Sequence, residues 1–136
     1  MLSLRVIAFF VADVPTTVRF YEAAFGLHLR YMHPSQGYAE LETGATLLAF
    51  IGERFEAEAS LLGGRAVRPN RRELDPIAAQ IALTTTALAA DWQRALDAGA
   101  EVVAPPQRKP WGQTAGYLRD LDGVLVELAT PSPRDP

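Results

Sequence analysis

Hydrophobic positions along the chain recur with two spacings, one typical of strands and one typical of helices. The first apolar run, from Leu4 to Val11, is rich in β-branched and aromatic residues and has the length of a strand. After it, four apolar side chains recur at helical spacing: Val14, Val18, Tyr21 and Phe25. The pattern therefore predicts a strand followed by a helix.

The residues at both ends of this helix favour its start and its end. Asp13 can cap the first turn, and Pro15 lies where a missing backbone N–H has no cost. Gly26 can adopt the left-handed conformation that commonly follows a helix. We therefore expect the helix to lie between Asp13 and Gly26.

Three shorter apolar segments follow this helix and predict three strands. They read "LHLRYMHP", "GYAELETG" and "ATLLAFIG", and turn-forming residues separate them. The first part of the chain is thus predicted to be a βαβββ unit.

The second part of the chain repeats this order of elements. "AAQIALTTT" predicts a strand and "ALAADWQRALDAG" a helix, and three strand candidates follow in "AEVVAPPQR", "TAGYLRD" and "GVLVELATP". We predict one α+β domain with repeat one at about residues 3–53, a linker at about 54–75 and repeat two at about 76–130. Two such units can pair into a curved mixed sheet around a cleft.

Composition narrows the class of protein further. The 136 residues suit one domain, and 16 acidic against 13 basic residues, without a dense basic stripe, argue against a nucleic-acid partner. No apolar run reaches the roughly 18 to 20 residues of a membrane-spanning helix. The chain has no cysteine, which excludes thiol catalysis and disulfides, and the cytoplasm is the default expectation for its location.

Three motifs carry a resemblance to a known family. They are "FYEAAFGL" in the first helix, "DWQRALDAGAEV" in the second and the closing "PWGQTAGYLRDLDGVLVEL". The chain resembles the glyoxalase, bleomycin-resistance and extradiol-dioxygenase superfamily, which has the vicinal oxygen chelate fold, from about Leu4 to Thr130. The resemblance implies a glyoxalase-like α+β fold with a ligand cleft, and a homodimer.

The resemblance also implies where a metal would be bound. In metal-dependent members, the first and last strands of each repeat supply one ligand each, and the matching residues here are Val6, Leu48, Gln80 and Glu127. Val6 and Leu48 cannot bind a metal, and no histidine stands at the other two positions. We therefore expect no metal cofactor, with at most a weakly bound divalent ion.

Glu127 lies among apolar residues of the last predicted strand and has two interpretations. Strand alternation places Val126 and Leu128 on one face and Glu127 on the other. If the first face packs under a helix, Glu127 points into the cleft, and otherwise it lies on a solvated face. In the cleft, with Gln80 as its hydrogen-bond donor, Glu127 could orient a ligand amine or hydroxyl, or act as a catalytic general base.

Aromatic residues leave further alternatives open. Trp111, beside Pro110 and Gly112, either anchors a turn or forms a stacking wall at the mouth of the cleft. Strand spacing allows a second group of side chains either to line the cleft or to fill the core under the helices: Phe10, Phe50, Tyr38 and Tyr117. The arginine-rich segment from Arg65 to Arg72 is either a solvated loop or a cover that pairs with an anionic ligand.

Two functions are consistent with these residues. The first is a metal-independent protein of the bleomycin-resistance type, which binds a small aromatic or amphipathic molecule in an apolar cleft. Its expected ligand-binding residues are Val6, Phe10, Leu48, Phe50, Gln80, Trp111, Tyr117 and Glu127. The alternative is an enzyme, namely a lyase, isomerase or dioxygenase with a degenerate metal site or with Glu127 as the base.

Overall fold

The computed structural model describes residues 1–135, which fall into two compact units, Met1–Asn70 and a second unit from Arg71 onward. Each unit contains the order strand, helix and three strands, and each has its own four-stranded mixed sheet. The predicted α+β fold of two βαβββ repeats is confirmed.

The first unit is built from β1 (Val6–Val11), α1 (Val14–Phe25), β2 (His28–Met32), β3 (Tyr38–Glu42), β4 (Leu47–Gly52) and a short helix, α2 (Glu53–Ala59). Its strands lie in the order β1-β4-β3-β2. β1 pairs with β4 in parallel, and the other pairs are antiparallel. The edge strand β1 and its neighbour β4 therefore run in the same direction, and a helix follows each of them.

The second unit contains β5 (Gln80–Thr84), α3 (Leu88–Asp97), β6 (Glu101–Arg108), β7 (Thr114–Arg119) and β8 (Leu125–Ala129). The strand order β5-β8-β7-β6 repeats that of the first sheet, again with one parallel pair, β5 and β8. The internal repeat seen in the sequence is thus a repeat of topology as well. No helix among residues 1–135 has the length and apolar character needed to cross a membrane.

Helix α1 begins and ends where its capping residues predict. The Asp13 carboxylate accepts a hydrogen bond of 3.1 Å from the Thr16 amide, and Gly26 has a φ of 67° and donates its N–H to the Glu22 carbonyl. The buried side of the helix packs on the sheet, with the Tyr21 ring 4.9 Å from the Phe50 ring. This contact identifies the face of the first sheet that forms the core.

Helix α3 packs on the second sheet over Gly116. A Cβ atom at this position would lie 2.5 Å from the Trp92 ring and 3.0 Å from the Pro106 nitrogen, so the helix approaches the sheet closely only because residue 116 has no side chain. Gly116 pairs with Leu128 in the ladder, and Leu118 pairs with Val126. These residues form the core face beneath α3.

The segment predicted as a linker contains structure that the sequence did not indicate. Residues 53–59 form α2, because Glu53 and Glu56 favour a first helical turn while Ser60 ends it in a left-handed conformation. At the start of the second unit, the Arg119 side chain, 9% exposed, donates to the carbonyls of Arg71, Arg72 and Leu74. In this unit the chain leading to β5 is therefore fixed by hydrogen bonds to β7.

Candidate functional site

Glu127 lies on the face of the second sheet opposite α3. Its neighbours in β8, Val126 and Leu128, are 0% and 3% exposed, whereas Glu127 is half-buried. Ladder register places Tyr117 beside Glu127 on one side and Ala82 on the other. We call this surface, with Gln80, Ala82, Tyr117 and Glu127, the Glu127 face.

Two side chains donate to the same oxygen of Glu127. The Tyr117 hydroxyl lies 2.9 Å from Glu127 Oε2, and Gln80 Nε2 lies 3.4 Å from it. Neither hydrogen bond uses Oε1. The expected pairing of Gln80 with Glu127 is present at the long end of hydrogen-bond distances, and the phenol is the closer donor.

The phenol of Tyr117 is kept protonated by its surroundings. Its hydrogen bond to Glu127 raises the pKa of Tyr117, and burial and the nearby negative charge raise it further. The Lys109 ammonium lies 5.4 Å from the centre of the same ring, at a cation–π distance. Lys109 was not among the predicted site residues, since the pairing of β6 with β7 that brings it near Tyr117 leaves no local sequence pattern.

Trp111 lies in the turn between β6 and β7. Its side chain is hydrogen-bonded within this turn, in agreement with the first of its two interpretations, the turn anchor. Its indole Nε1 donates to Gln113 Oε1 at 3.0 Å, and Gln113 Nε2 donates to the Thr130 carbonyl at 2.7 Å. The side chain is 55% exposed, so most of its ring surface is free to contact another molecule. A stacking role for Trp111 stays a prediction.

In the first unit, the predicted site residues separate onto two faces. Val6 and Phe10 lie on the face opposite α1, together with Ala8. Leu48 and Phe50 instead lie on the core face beneath α1, and they are 7% and 0% exposed. Leu48 and Phe50 are therefore core residues and do not line a cleft on the opposite face, and for Phe50 the core is one of the two positions that strand spacing allowed.

The error at Leu48 is a shift of one residue. In the parallel ladders, Val6 pairs with Leu47 in the first unit, and Gln80 pairs with Leu125 in the second. Glu127 comes two residues after Leu125, and the residue two positions after Leu47 is Ala49. Ala49 therefore corresponds to Glu127. Because "ATLLAF" is apolar throughout, the sequence does not show whether Leu48 or Ala49 should be aligned with Glu127.

A second carboxylate, which the sequence did not single out, lies next to Ala49. Glu40 in β3 is 8% exposed, and its Oε2 accepts from the Tyr38 hydroxyl at 2.7 Å and from Arg5 Nη1 at 2.8 Å. Ladder register places Glu40 beside Ala49, and Ala49 beside Ala8. We call this surface, with Ala8, Tyr38, Glu40 and Ala49, the Glu40 face.

Charges around Glu40 stabilise its ionised form. The hydrogen bonds from Tyr38 and then Arg5 hold the pKa of Glu40 below its usual value, against the effect of burial. Burial and the adjoining carboxylate raise the pKa of Tyr38, and the same carboxylate raises that of Arg5. The group is therefore a carboxylate, a guanidinium and a neutral phenol at neutral pH.

The residues at the metal-ligand positions that the sequence resemblance implies do not fit a catalytic metal ion. In the first unit these positions hold Val6 and Ala49, which have no donor atom, and in the second they hold Gln80 and Glu127. Among residues 1–135, no three histidine, aspartate or glutamate side chains are grouped so that they could hold a metal. Two oxygen donors are fewer than the three or four protein ligands of a typical catalytic site.

Comparisons with known proteins agree with the geometry. A family model described as Glyoxalase/Bleomycin resistance protein/Dioxygenase superfamily matches residues 3–128. Among solved structures, a glyoxalase-related enzyme from Fulvimarina pelagi is similar, with 25% identity, a TM-score of 0.79, and 96% of this chain and 89% of that chain covered. A search of curated proteins finds no match.

Two further structures show the same fold at lower identity. A glyoxalase/bleomycin resistance protein/dioxygenase family enzyme from Burkholderia phytofirmans PsJN has 17% identity and a TM-score of 0.75, over 95% of this chain and 98% of that one. TioX from Micromonospora sp. ML1 has 24% identity and a TM-score of 0.68, over 95% and 98% of the two chains.

Proposed function

The chain belongs to the glyoxalase/bleomycin resistance protein/dioxygenase superfamily, and on that premise we propose that it binds a small aromatic or amphipathic molecule at the Glu127 face. Binding requires neither a metal ion nor a chemical step in this proposal. The family's metal-ligand positions hold only two donors here, which supports a site that recognises its ligand through protein groups alone.

The free oxygen of Glu127 is the observation that carries the proposal. Because Tyr117 and Gln80 both donate to Oε2, the carboxylate is held in one orientation while Oε1 remains available. A carboxylate oxygen accepts strong hydrogen bonds from an ammonium or hydroxyl group. Glu127 therefore supplies the polar contact that would fix the orientation of a bound molecule.

Small and aromatic neighbours supply the apolar part of the proposed site. The Ala82 methyl, next to Glu127 in the ladder, leaves space above the sheet, and the Tyr117 ring offers a flat surface on the other side. Ligand sites commonly combine apolar surface with a few placed polar groups, and on this face Ala82 and the Tyr117 ring supply the first and Glu127 the second. The exposed Trp111 ring is proposed as a further stacking surface.

Binding to this face can be tested with small probes before a natural ligand is known. We choose phenethylamine as the probe and 3-phenylpropionate as its matched anion, and the reporter is the Ala82 methyl resonance in NMR titrations. The amine should perturb Ala82 more strongly than the anion does. Glu127→Gln should weaken amine binding about tenfold or more, since a hydrogen bond to a charged group is lost.

Matched controls distinguish a site from a surface effect. Glu101→Gln removes an exposed carboxylate of β6 in the same unit and should leave the affinity unchanged. Equal effects of the two substitutions would contradict a specific role for Glu127. Conversion of a bound compound, abolished by Glu127→Gln, would instead favour the lyase or isomerase alternative with Glu127 as base.

We also propose that the protein works as a homodimer. Each sheet ends in a strand with exposed apolar side chains, Leu29 and Tyr31 on β2 and Val102 and Val103 on β6. Edge strands of this kind offer backbone and apolar surface that a second chain can cover.

A further inference from the structure

The Glu40 face carries a carboxylate whose burial needs an explanation. Glu40 lies on the side of the first sheet opposite α1, yet its side chain is 11% exposed and charged. Burying a charge is costly unless it is paired and hydrogen-bonded, and Arg5 and Tyr38 provide both. A hydrophobic residue would fill the same position without that cost, so stability alone does not account for Glu40.

One oxygen of Glu40 has no hydrogen-bond partner in the protein. Both hydrogen bonds end on Oε2, so Oε1 has no donor from the protein. Within the described residues, no buried side-chain oxygen or nitrogen lacks a hydrogen-bond partner. Oε1 is therefore not fully buried, and it is the oxygen of Glu40 that an external donor would approach.

The same arrangement occurs in both units. In each, a tyrosine hydroxyl and a second side chain donate to one oxygen of a half-buried or buried glutamate, and alanine is the ladder neighbour of that glutamate. The two glutamates do not occupy equivalent strands, since Glu40 lies in β3 and Glu127 in β8. The two units thus share the same hydrogen-bonding arrangement around a glutamate, although the glutamate lies in a different strand of each unit.

We propose that Glu40 Oε1 is a second ligand-binding group, which accepts a hydrogen bond from a neutral hydroxyl of an aromatic or amphipathic molecule. The positive charge of Arg5 favours a neutral donor over a cationic one at this position. Arg5 already neutralises this carboxylate at 2.8 Å, so an ammonium would gain less from Glu40 and would be repelled by the guanidinium. A hydroxyl meets no such repulsion.

Two probes that differ in their capacity to donate a hydrogen bond test this assignment. 2-Phenylethanol can donate a hydrogen bond, and its methyl ether can only accept one. In NMR titrations the Ala8 and Ala49 methyl resonances should report the alcohol binding about tenfold more tightly than the ether. These reporters belong to the first unit, so the result is independent of the outcome at Ala82.

Substitution of Glu40 by glutamine should remove this preference. In Glu40→Gln the amide oxygen stays with Arg5 and Tyr38, which are donors, and the amide nitrogen takes the place of Oε1. The acceptor then becomes a donor, from which the oxygen of the alcohol and that of the ether can both accept a hydrogen bond, so the variant should no longer prefer the alcohol. Tyr38→Phe leaves Oε1 in place and should keep the preference for the alcohol, as should the control Glu42→Gln, which removes an exposed carboxylate of the same strand.

Each outcome decides the proposal. Loss of the preference in Glu40→Gln alone, in variants whose spectra remain dispersed, supports the assignment of Oε1, and a preference that persists in Glu40→Gln contradicts it. If neither probe perturbs Ala8 or Ala49 up to its solubility limit, or if both probes bind equally to the unsubstituted protein, Glu40 is a structural ion pair and the proposal is wrong.

Discussion

The Tyr117 hydroxyl donates a 2.9 Å hydrogen bond to Glu127 Oε2 across the neighbouring strands β7 and β8. Because the two residues are directly opposite in the antiparallel ladder, their relative position is set by the backbone of the sheet. The carboxylate is thus oriented before any ligand arrives, which reduces the entropy lost on binding.

This hydrogen bond predicts an alkaline titration. The pKa of Tyr117 is raised above its usual value of 10.0, so the bonded phenol contributes stability that is present below about pH 10 and is lost as the pH rises through the folded value. An ultraviolet absorbance titration should show Tyr117 ionising late. Glu127→Gln should bring this ionisation to lower pH, and Tyr117→Phe should remove it from the curve.

The close approach of α3 to the second sheet predicts the effect of a single methyl group. Gly116→Ala would place a Cβ 2.5 Å from the rigid Trp92 ring. We expect the free energy of unfolding, measured with urea, to fall by about 1–3 kcal/mol, the usual cost of overpacking. Gly52→Ala is the control, since its Cβ would have nothing closer than 3.5 Å and should cost less.

A double substitution separates the clash from a general preference for glycine. Trp92→Leu shortens the side chain above residue 116 and should make the further change Gly116→Ala less costly than it is beside tryptophan. If Gly116→Ala costs the same with and without the Trp92→Leu substitution, the contact with the ring is not its cause.

The sequence predicted correctly those features that depend on residues close together in the chain, such as helix ends and the alternation of side chains along a strand. Asp13 and Gly26 cap α1 because each acts within a few residues of the helix end. Alternation in β8 placed Glu127 opposite Val126 and Leu128 for the same reason. The helix α2 was missed, since its short stretch of glutamates and alanines has no buried residue and thus no apolar period.

Contacts between residues that are far apart in the chain could not be predicted from such local patterns. Glu40 meets Arg5, which lies 35 positions away in the chain, and no motif joins the two residues. Leu48 was placed on the wrong face because the register of β4 against β1 depends on the whole sheet, and a shift of one residue changes the face of every side chain. Tyr117 was named as a candidate, but its hydrogen bond to Glu127 became evident only from the ladder.

The exposed edge strands lead to a prediction about assembly. Light scattering should give a mass close to twice that of the 14.8 kDa chain at micromolar concentration. Replacing Val103 with Glu on β6 and Tyr31 with Glu on β2, in separate variants, should identify which edge is covered, since only a buried edge will lose its partner. A monomeric mass for the unsubstituted protein at all concentrations would contradict the homodimer.

The residues at the family's metal-ligand positions predict that the purified protein contains little bound metal. Elemental analysis of protein purified without a chelator should show far less than one equivalent of zinc, nickel, iron or manganese per chain, since Val6 and Ala49 supply no ligand. Dialysis against a chelator should leave the melting temperature unchanged. A stoichiometric ion that is lost in Glu127→Gln would favour the enzyme alternative over simple binding.

The ion pair of Glu40 and Arg5 predicts how stability changes in acid. The pKa of Glu40 is lowered from its usual value of 4.5, so its contribution to stability is fully present above about pH 4.5 and is lost as the pH falls through the lower folded value. Glu40→Gln removes the carboxylate that takes up this proton. The unfolding free energy of the variant, measured with urea from pH 7 to strongly acidic solution, should therefore fall less steeply than that of the unsubstituted protein. Glu42→Gln, in the same strand, provides the comparison. Equal acid dependence in the Glu40→Gln variant and the unsubstituted protein would show that other carboxylates govern unfolding in acid.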